Sequence, residues 1–250
     1  MKTAGISLGR LWRTEFEPEE TYPDLEAGEG LENKVPPESL SALSPERRAR
    51  TRFYTVHMPA WTAEQFPDHL KVTVLREPVA RTVSHLRHIA RMPDAPNDIT
   101  EIYDDPGWHS RLVDYQTRLL SEDSDDHLRF SHWRNQVMEE VKKLSDDDRA
   151  TIAYEGFRFL TTAVEQPHPI DGDSLERAMR RLETFDVVGT TERLEEFVAS
   201  VADRMGWRGH RAQAHNAASN RETVPEALLA RIEADTRHDT ILWEHARTMA

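Results

Sequence analysis

Residues 70–88 decide the fold, and they read Leu-Lys-Val-Thr-Val-Leu-Arg-Glu-Pro-Val-Ala-Arg-Thr-Val-Ser-His-Leu-Arg-His. The run from Leu70 to Leu75 is aliphatic and β-branched, which is typical of a strand buried on both faces of a parallel sheet. Pro78 has no N–H for a strand ladder, and its fixed φ suits the first turn of a helix. The stretch therefore predicts a strand, a sharp turn carrying Arg76, and a helix. Ligands bind at that edge of open α/β sheets.

The predicted helix has two distinguishable faces. One is an apolar stripe that we expect to face the sheet, because its residues recur at spacings of four, three and four. The stripe consists of Val79, Val83, Leu86 and Ala90. A flanking face carries Arg81, Ser84 and His88, so the helix offers a hydroxyl and a second arginine beside the turn.

The spacing of Arg76, Pro78, Arg81 and Ser84 resembles the 3′-phosphate-binding segment of sulfotransferases that use 3′-phosphoadenosine 5′-phosphosulfate (PAPS). Other stretches resemble family segments in the expected order: residues 2–8, 56–59, 114–118 and 185–193. The resemblance is to bacterial members, similar to the heparan sulfate 2-O-sulfotransferase-like or sulfotransferase family 2 group. It implies an α/β fold of the P-loop-like type, a three-layer α/β/α arrangement with a central, mostly parallel sheet.

The resemblance also implies a donor site. The family loop that binds the 5′-phosphosulfate reads roughly Pro-Lys-Thr-(Ala or Gly)-Gly-Thr-Ser, and the matching residues here are Lys2, Thr3, Ala4, Gly5, Ile6 and Ser7. Backbone N–H groups in such a loop, and at the start of the helix expected from about residue 7 to 16, can converge on one anion. Ile6 replaces a threonine, and Met1 stands where a proline and a preceding strand belong. Either the start codon is assigned too late, which we favour, or the protein is a trimmed relative.

The remaining site residues come from the same resemblance. Arg76 and Ser84 are expected to anchor the 3′-phosphate. His57, at the end of a strand predicted over residues 52–57, is the expected general base, since an imidazole with a pKa of about 6.5 can accept a hydroxyl proton. The alternative is a histidine that is merely hydrogen-bonded at a strand terminus.

Late in the chain, a strand over residues 185–188 and a turn at Gly189 and Thr190 lead into a helix that ends at Gly206, so the strand, turn and helix pattern recurs. Thr190 or Thr191 is expected either to contact the adenine or ribose or to cap the helix. A polar loop at 207–223 offers Arg211 or Arg221 to the 3′-phosphate side.

The rest of the chain is expected to be mainly helical, within one sulfotransferase-like domain over residues 1–250. Helices are predicted over 38–50, 107–121, 173–183 and 225–249, and a loop over 92–106. Asp173 and Glu176 have capping-box spacing. Residues 116–118 either shape the acceptor site or form the polar face of a packed helix. Residues 122–172 are interpreted as a helix-rich insertion, and Leu228, Ile232 and Leu242 are expected to point inward.

Composition narrows the possible functions. The chain has 250 residues and a net charge of −13, which argues against a nucleic acid or another polyanion as its main partner. It contains no cysteine, so thiolate chemistry and cysteine metal sites are excluded. The acidic clusters lack the pattern of a calcium loop, and no metal is assigned. No segment is apolar enough to span a membrane, and we expect a cytoplasmic protein.

The resemblance implies an enzyme that transfers the sulfuryl group of its co-substrate PAPS to a hydroxyl of a small-molecule or glycan acceptor, without a metal. The alternative is a catalytically silent sulfotransferase-like protein that binds a nucleotide or a partner. A P-loop kinase is a poorer interpretation, because the sequence has no Gly-x-x-x-x-Gly-Lys-Ser/Thr motif.

Overall fold

The computed structural model describes residues 5–24, 40–55, 59–92, 94–125, 170–207 and 223–249. Its contacts divide the chain into two compact units, each assembled from separated segments. The first comprises Met1–Arg76, Met179–Glu222 and Trp243–Ala250, and the second comprises Glu77–Ala178 and Thr223–Leu242. Most of the predicted insertion at 122–172 lies outside the described residues, and the single-domain assignment stays a prediction.

The described strands are short and pair in parallel. Strand β1 (Thr21–Tyr22) pairs with β2 (Phe53–Tyr54), and β3 (Val72–Leu75) pairs with β4 (Val187–Thr190). In the second pair Val72 lies opposite Val187 and Leu75 opposite Thr190. Parallel strands joined through helices define an α/β protein, which confirms that part of the predicted fold class.

Ten α-helices are described in these segments. They are α1 (Gly5–Arg13), α2 (Pro45–Arg50), α3 (Pro78–Ile89), α4 (Ile99–Asp104), α5 (Pro106–Leu112), α6 (Tyr115–Ser121), α7 (Gly172–Leu182), α8 (Leu194–Met205), α9 (Glu226–Asp235) and α10 (Arg237–Met249). Helix α3 begins at Pro78 as predicted, and α8 ends at Gly206, which adopts a left-handed conformation with φ of 70°. Helix α4 forms within the predicted loop at 92–106, where Asp98 caps it by accepting a bond from Thr100 N.

The core of the first unit forms between α1, the β3–β4 pair and α8. Its buried members are Leu8, Trp12, Val74, Val187, Phe197, Val198 and Val201. Gly189 permits this packing, because a Cβ added there would lie 2.4 Å from the Phe197 ring. Gly189 and Thr190 are the last two residues of β4, so the turn predicted at these residues is wrong. The turn that follows the strand is the 3₁₀ segment Thr191–Arg193.

The core of the second unit forms between α3, α4, α5 and α9. Its buried members are Val83, Leu86, Ile89, Ile102, Tyr103, Trp108, Leu112, Leu228 and Ile232. Val83 and Leu86 belong to the stripe that periodicity singled out, but they pack in this core of helices instead of facing the sheet as predicted. Leu228 and Ile232 point inward as predicted. Leu242 of α10 is also buried, as predicted.

Two predicted helices are each divided in two. The helix predicted over 107–121 breaks at Asp114, which has a left-handed φ of 42°, and the helix predicted over 225–249 breaks at Thr236. The breaks are tied together, since the Asp114 carboxylate accepts bonds from His238 N and Asp239 N, both at 3.0 Å. In return, Asp239 accepts bonds from the N–H groups of Gln116 (3.1 Å) and Thr117 (2.7 Å). Each aspartate thus satisfies the free N–H groups at the start of the other helix.

The cap of α7 also differs from the prediction. Asp171 accepts a bond from Ser174 N at 2.8 Å, so Asp171 provides the cap that the sequence assigned to Asp173. Within the described residues, no helix combines the length and the apolar character needed to cross a membrane.

Candidate functional site

The turn after β3 consists of Arg76, Glu77 and Pro78. Glu77 caps α3, because its carboxylate accepts bonds from Val79 N (3.0 Å) and Ala80 N (2.6 Å), and Pro78 occupies the first turn. The carboxylate also suits the positive end of the helix dipole. Arg76 is the residue between the end of β3 and this cap, and it is partly buried.

The carboxyl end of β3 lies beside that of β4, where Leu75 pairs with Thr190. Arg76 therefore follows β3 at the edge where Thr190 ends β4, and the structure brings these two predicted site residues together. Thr190 is 1% exposed, and its Oγ1 has no hydrogen-bond partner among the described residues. A buried hydroxyl without a partner costs roughly 1–3 kcal/mol. This hydroxyl is thus a candidate ligand contact at the edge where open α/β sheets bind ligands.

Thr190 does not use its hydroxyl as a helix cap. It stands at the N-cap position of the 3₁₀ turn Thr191–Arg193, where threonine commonly accepts a backbone bond, but it makes no side-chain cap bond. The hydroxyl of Thr191 instead donates to Glu192 Oε1 at 2.8 Å. Of the two threonines that the sequence offered, Thr190 is the one whose hydroxyl the described structure leaves unsatisfied.

The predicted phosphate-binding loop is described only in its helical part. Gly5 is the first residue of α1, so the helix begins two residues before the predicted start, and Ile6 and Ser7 lie in its first turn. Lys2, Thr3 and Ala4 lie outside the described residues. The loop's binding of a phosphate stays a prediction.

Ser84 and Arg81 lie on α3 in the second unit. Ser84 is partly buried. Arg81 is fully buried, and its Nη2 donates to Leu112 O at 2.6 Å and to Thr82 Oγ1 at 2.9 Å. Its guanidinium also lies over the Tyr115 ring, 4.9 Å from the centroid. The sequence placed Arg81 on the flanking face with Ser84, but the contacts show a side chain that anchors the C-terminal end of α5.

His85, next to Ser84, was not singled out by the sequence. Burial lowers its pKa well below 6.5, and the charges of Arg81, Arg111 and His88 lower it further. Its Nδ1 is buried without a hydrogen-bond partner among the described residues. The only sequence signal was its spacing of four from Arg81 on one helix, which places both on neighbouring turns.

Residues 116–118 have the burial of a packed helix. Gln116 is 4% exposed, Thr117 is fully buried and Arg118 is 9% exposed. The N–H groups of the first two bind Asp239, and Arg118 Nη2 donates to Val113 O at 2.9 Å. Of the two alternatives for this segment, these contacts favour the packed helix over an acceptor-shaping surface.

Three predicted site residues, His57, Arg211 and Arg221, lie outside the described residues. In the part of the chain that the structure does describe, no three His, Asp or Glu side chains are grouped so that they could hold a metal ion.

No protein-family model matches the chain. No curated protein matches it, and no solved structure matches it either. The geometry of the β3–β4 edge and the sequence resemblance therefore carry the functional argument.

Proposed function

We propose that the protein is a sulfotransferase that moves the sulfuryl group of PAPS to a hydroxyl of a small molecule or glycan. The observation that carries this proposal is the carboxyl edge of the β3–β4 pair. Arg76 follows β3 there, and the buried, unsatisfied hydroxyl of Thr190 ends β4. The sequence resemblance assigns donor contacts to Arg76 and to Thr190 or Thr191, and the unsatisfied hydroxyl favours Thr190.

We infer that the two parallel pairs belong to a P-loop-like, three-layer α/β/α arrangement. Two elements support this inference, since β3 leads into α3 and β4 leads into α8, each through a short turn. Parallel strands need such crossover connections. A cytoplasmic location is part of the same proposal.

The chain as a whole carries a net charge of −13, so the donor's phosphates must be bound by local cationic groups and backbone N–H groups. Arg76 and Ser84 anchor the 3′-phosphate in this proposal, and the planar guanidinium of arginine suits two-point binding of a phosphate. Thr190 contacts the adenosine, and Arg211 or Arg221 closes the 3′-phosphate side.

In the proposed reaction, the bond between sulfur and the bridging oxygen of the donor's 5′-phosphate breaks, and a bond forms between sulfur and the acceptor oxygen. His57 takes the proton from the acceptor hydroxyl. Lys2 and the N–H groups of residues 3–7 stabilise the charge that develops on the departing phosphate. The products are the sulfated acceptor and adenosine 3′,5′-bisphosphate, so the scheme needs no oxidant, reductant or metal.

The test compares His57→Ala with wild type in the release of adenosine 3′,5′-bisphosphate from PAPS, across a panel of phenols, alcohols and glycosides. We expect turnover to fall by about 10²-fold or more while donor affinity stays unchanged, since general base catalysis contributes 10²–10⁴-fold. His245→Ala, in α10, is the matched control and should keep wild-type turnover. Equal turnover in wild type and His57→Ala would reject His57, and donor binding without turnover on any acceptor would favour a catalytically silent protein.

A further inference from the structure

Ring contacts in the first unit surround Tyr54, the last residue of β2. The Tyr54 ring centroid lies 4.1 Å from that of Phe66 and 5.3 Å from that of His69, and Phe66 and His69 are 5.6 Å apart. Phe66 is buried and packs with Tyr22 and Leu40. We call Tyr54, Gln65, Phe66 and His69 the Tyr54 cluster.

Three polar atoms of the Tyr54 cluster are buried without a hydrogen-bond partner among the described residues: Tyr54 Oη, Gln65 Nε2 and His69 Nδ1. Burial raises the pKa of Tyr54, and the neighbouring Thr51 hydroxyl offsets only part of that rise. The Thr51 hydroxyl is already bonded to Arg47, since it donates to Arg47 O at 2.8 Å and accepts from Arg47 Nη1 at 2.7 Å. Buried polar atoms in native proteins are usually paired, so these three atoms are candidate contacts for a bound group.

In two of these side chains, the second polar atom contacts a neighbouring residue. Gln65 Oε1 accepts a bond from Ser41 Oγ at 3.1 Å, and His69 Nε2 lies 3.5 Å from Thr51 O. If His69 carries its proton on Nε2 toward that carbonyl, its Nδ1 is an acceptor. Gln65 Nε2 then offers a donor, His69 Nδ1 an acceptor, and Tyr54 Oη both. A hydroxyl, which donates and accepts, complements this set.

The charged groups nearest the Tyr54 cluster have other contacts. Arg47 donates to Glu19 O and Thr21 O at 2.8 and 2.6 Å. Arg48 lies over the Phe66 ring, and its Nη2 donates to Leu40 O at 2.8 Å. Two of the three unsatisfied atoms, Tyr54 Oη and Gln65 Nε2, belong to side chains that carry no charge at neutral pH. Because an anion is best satisfied by charged donors, this set favours an uncharged ligand.

We propose that Tyr54, Gln65 and His69 bind the hydroxyl groups of a neutral, sugar-like compound. This inference rests on the proposed function in taking that compound as the sulfuryl acceptor.

The first test measures thermal stability of the full chain without ligand. Tyr54→Phe removes only the unsatisfied Oη and keeps the ring, so we expect the Tm to stay the same or rise. Asp68→Asn, an exposed neighbour, is the control. A clear fall in Tm for Tyr54→Phe would show that Tyr54 Oη is bonded within the protein, which overturns the proposal.

The second test titrates the ¹⁵N-labelled full chain with methyl glucoside, methyl galactoside and methyl xyloside, and follows the Gln65 side-chain amide and the His69 ring by NMR. We expect a saturable shift with at least one neutral glycoside, weakened about tenfold or more in Gln65→Met and His69→Phe and retained in Asp68→Asn. Glucose 6-phosphate is the anionic comparison and should bind no more tightly than the best glycoside. No saturable shift with any neutral glycoside, or tighter binding of the phosphate, would overturn the proposal.

The same samples are then titrated with adenosine 3′,5′-bisphosphate, which reports on the proposed function alone. Glycoside binding without bisphosphate binding would keep the hydroxyl site and reject the sulfotransferase. Bisphosphate binding without glycoside binding would reject the hydroxyl site and leave the sulfotransferase standing.

Discussion

The turns that follow β3 and β4 use their polar side chains in opposite ways. After β3, both carboxylate oxygens of Glu77 accept hydrogen bonds from N–H groups of α3, so that side chain serves as the helix cap. At the end of β4, Thr190 occupies the N-cap position of the 3₁₀ segment Thr191–Arg193, yet its buried hydroxyl makes no cap bond. The Glu77 carboxylate therefore stabilises the fold, whereas the Thr190 hydroxyl stays unsatisfied at the edge of the sheet where ligands bind.

The same contrast separates polar residues along α3. Arg81 is fully buried and donates to Leu112 O, whereas His85, one turn later, is held neutral by burial and has an unsatisfied Nδ1. Sequence position alone does not distinguish the two roles. Their contacts do, because Arg81 donates to a backbone carbonyl and lies over the Tyr115 ring, whereas His85 Nδ1 makes no hydrogen bond among the described residues. The difference can be tested by removing residues of each kind.

The largest effect is expected at Arg81. Arg81→Leu removes the bond to Leu112 O and also removes a positive charge that partly counters the raised pKa of the buried Asp239. We expect the free energy of unfolding to fall by about 3–5 kcal/mol, as when one partner of a buried charge pair is lost. Urea denaturation measures it, and the exposed Arg91→Ala should stay within about 0.5 kcal/mol of wild type. A loss of less than about 1 kcal/mol for Arg81→Leu would show that Arg81 is not a structural anchor.

Gly189→Ala should come next, because the new Cβ would lie 2.4 Å from the Phe197 ring. We expect a loss of about 1–3 kcal/mol in the free energy of unfolding, as for other overpacked cores. Adding Phe197→Leu should recover part of the loss relative to Phe197→Leu alone, which a double-mutant cycle by urea denaturation measures. Full stability of Gly189→Ala would mean that β4 and α8 can separate without cost.

The unsatisfied His85 should give a pH-dependent effect. Its pKa is lowered in the folded protein, so below 6.5 the unfolded chain binds a proton that the folded protein does not. Its contribution to stability is thus complete above that pH and declines as the pH falls, by at most about 1.4 kcal/mol per pH unit. His85→Gln lacks this component, so wild type should lose stability relative to His85→Gln on acidification. A constant difference between pH 7 and 5, with His245→Gln as control, would contradict the lowered pKa.

The smallest changes in the free energy of unfolding are expected for variants at the ends of β3 and β4. Glu77→Ala removes both cap bonds, and we expect a loss of about 0.5–2 kcal/mol in the free energy of unfolding. Thr190→Val keeps the shape of the side chain and removes only the unsatisfied hydroxyl, so its stability should equal or exceed that of wild type. Urea denaturation of both variants is the measurement. Equal losses would erase the distinction between a group that the fold uses and one that it leaves unsatisfied.

Local sequence signals predicted the elements whose causes are local. The aliphatic run predicted β3, Pro78 predicted the start of α3, and Gly206 predicted the end of α8. The break at Asp114 could not be predicted in this way, because its left-handed conformation is tied to N–H groups of residues 238 and 239, more than 120 positions away. The extension of β4 through Thr190 depends likewise on a long-range contact, its pairing with Leu75 of β3.

The candidate site was predicted only where the resemblance named residues. Arg76 and Thr190 came from matched segments, and the parallel register brings them to one edge. The Tyr54 cluster was not predicted, because a tyrosine, a glutamine and a histidine in sequence carry no sign of which atoms stay unpaired after packing. That property belongs to the folded contacts alone.

The most direct test of the donor site is calorimetric titration of the full chain with adenosine 3′,5′-bisphosphate. We expect micromolar or tighter binding by wild type and by the exposed Arg50→Ala. Arg76→Ala should bind about tenfold to a hundredfold more weakly, since a hydrogen bond to a charged group is worth about 1.5–3 kcal/mol. Equal affinity in wild type and Arg76→Ala, or no binding by wild type, would contradict the proposal that the β3–β4 edge holds the sulfuryl donor.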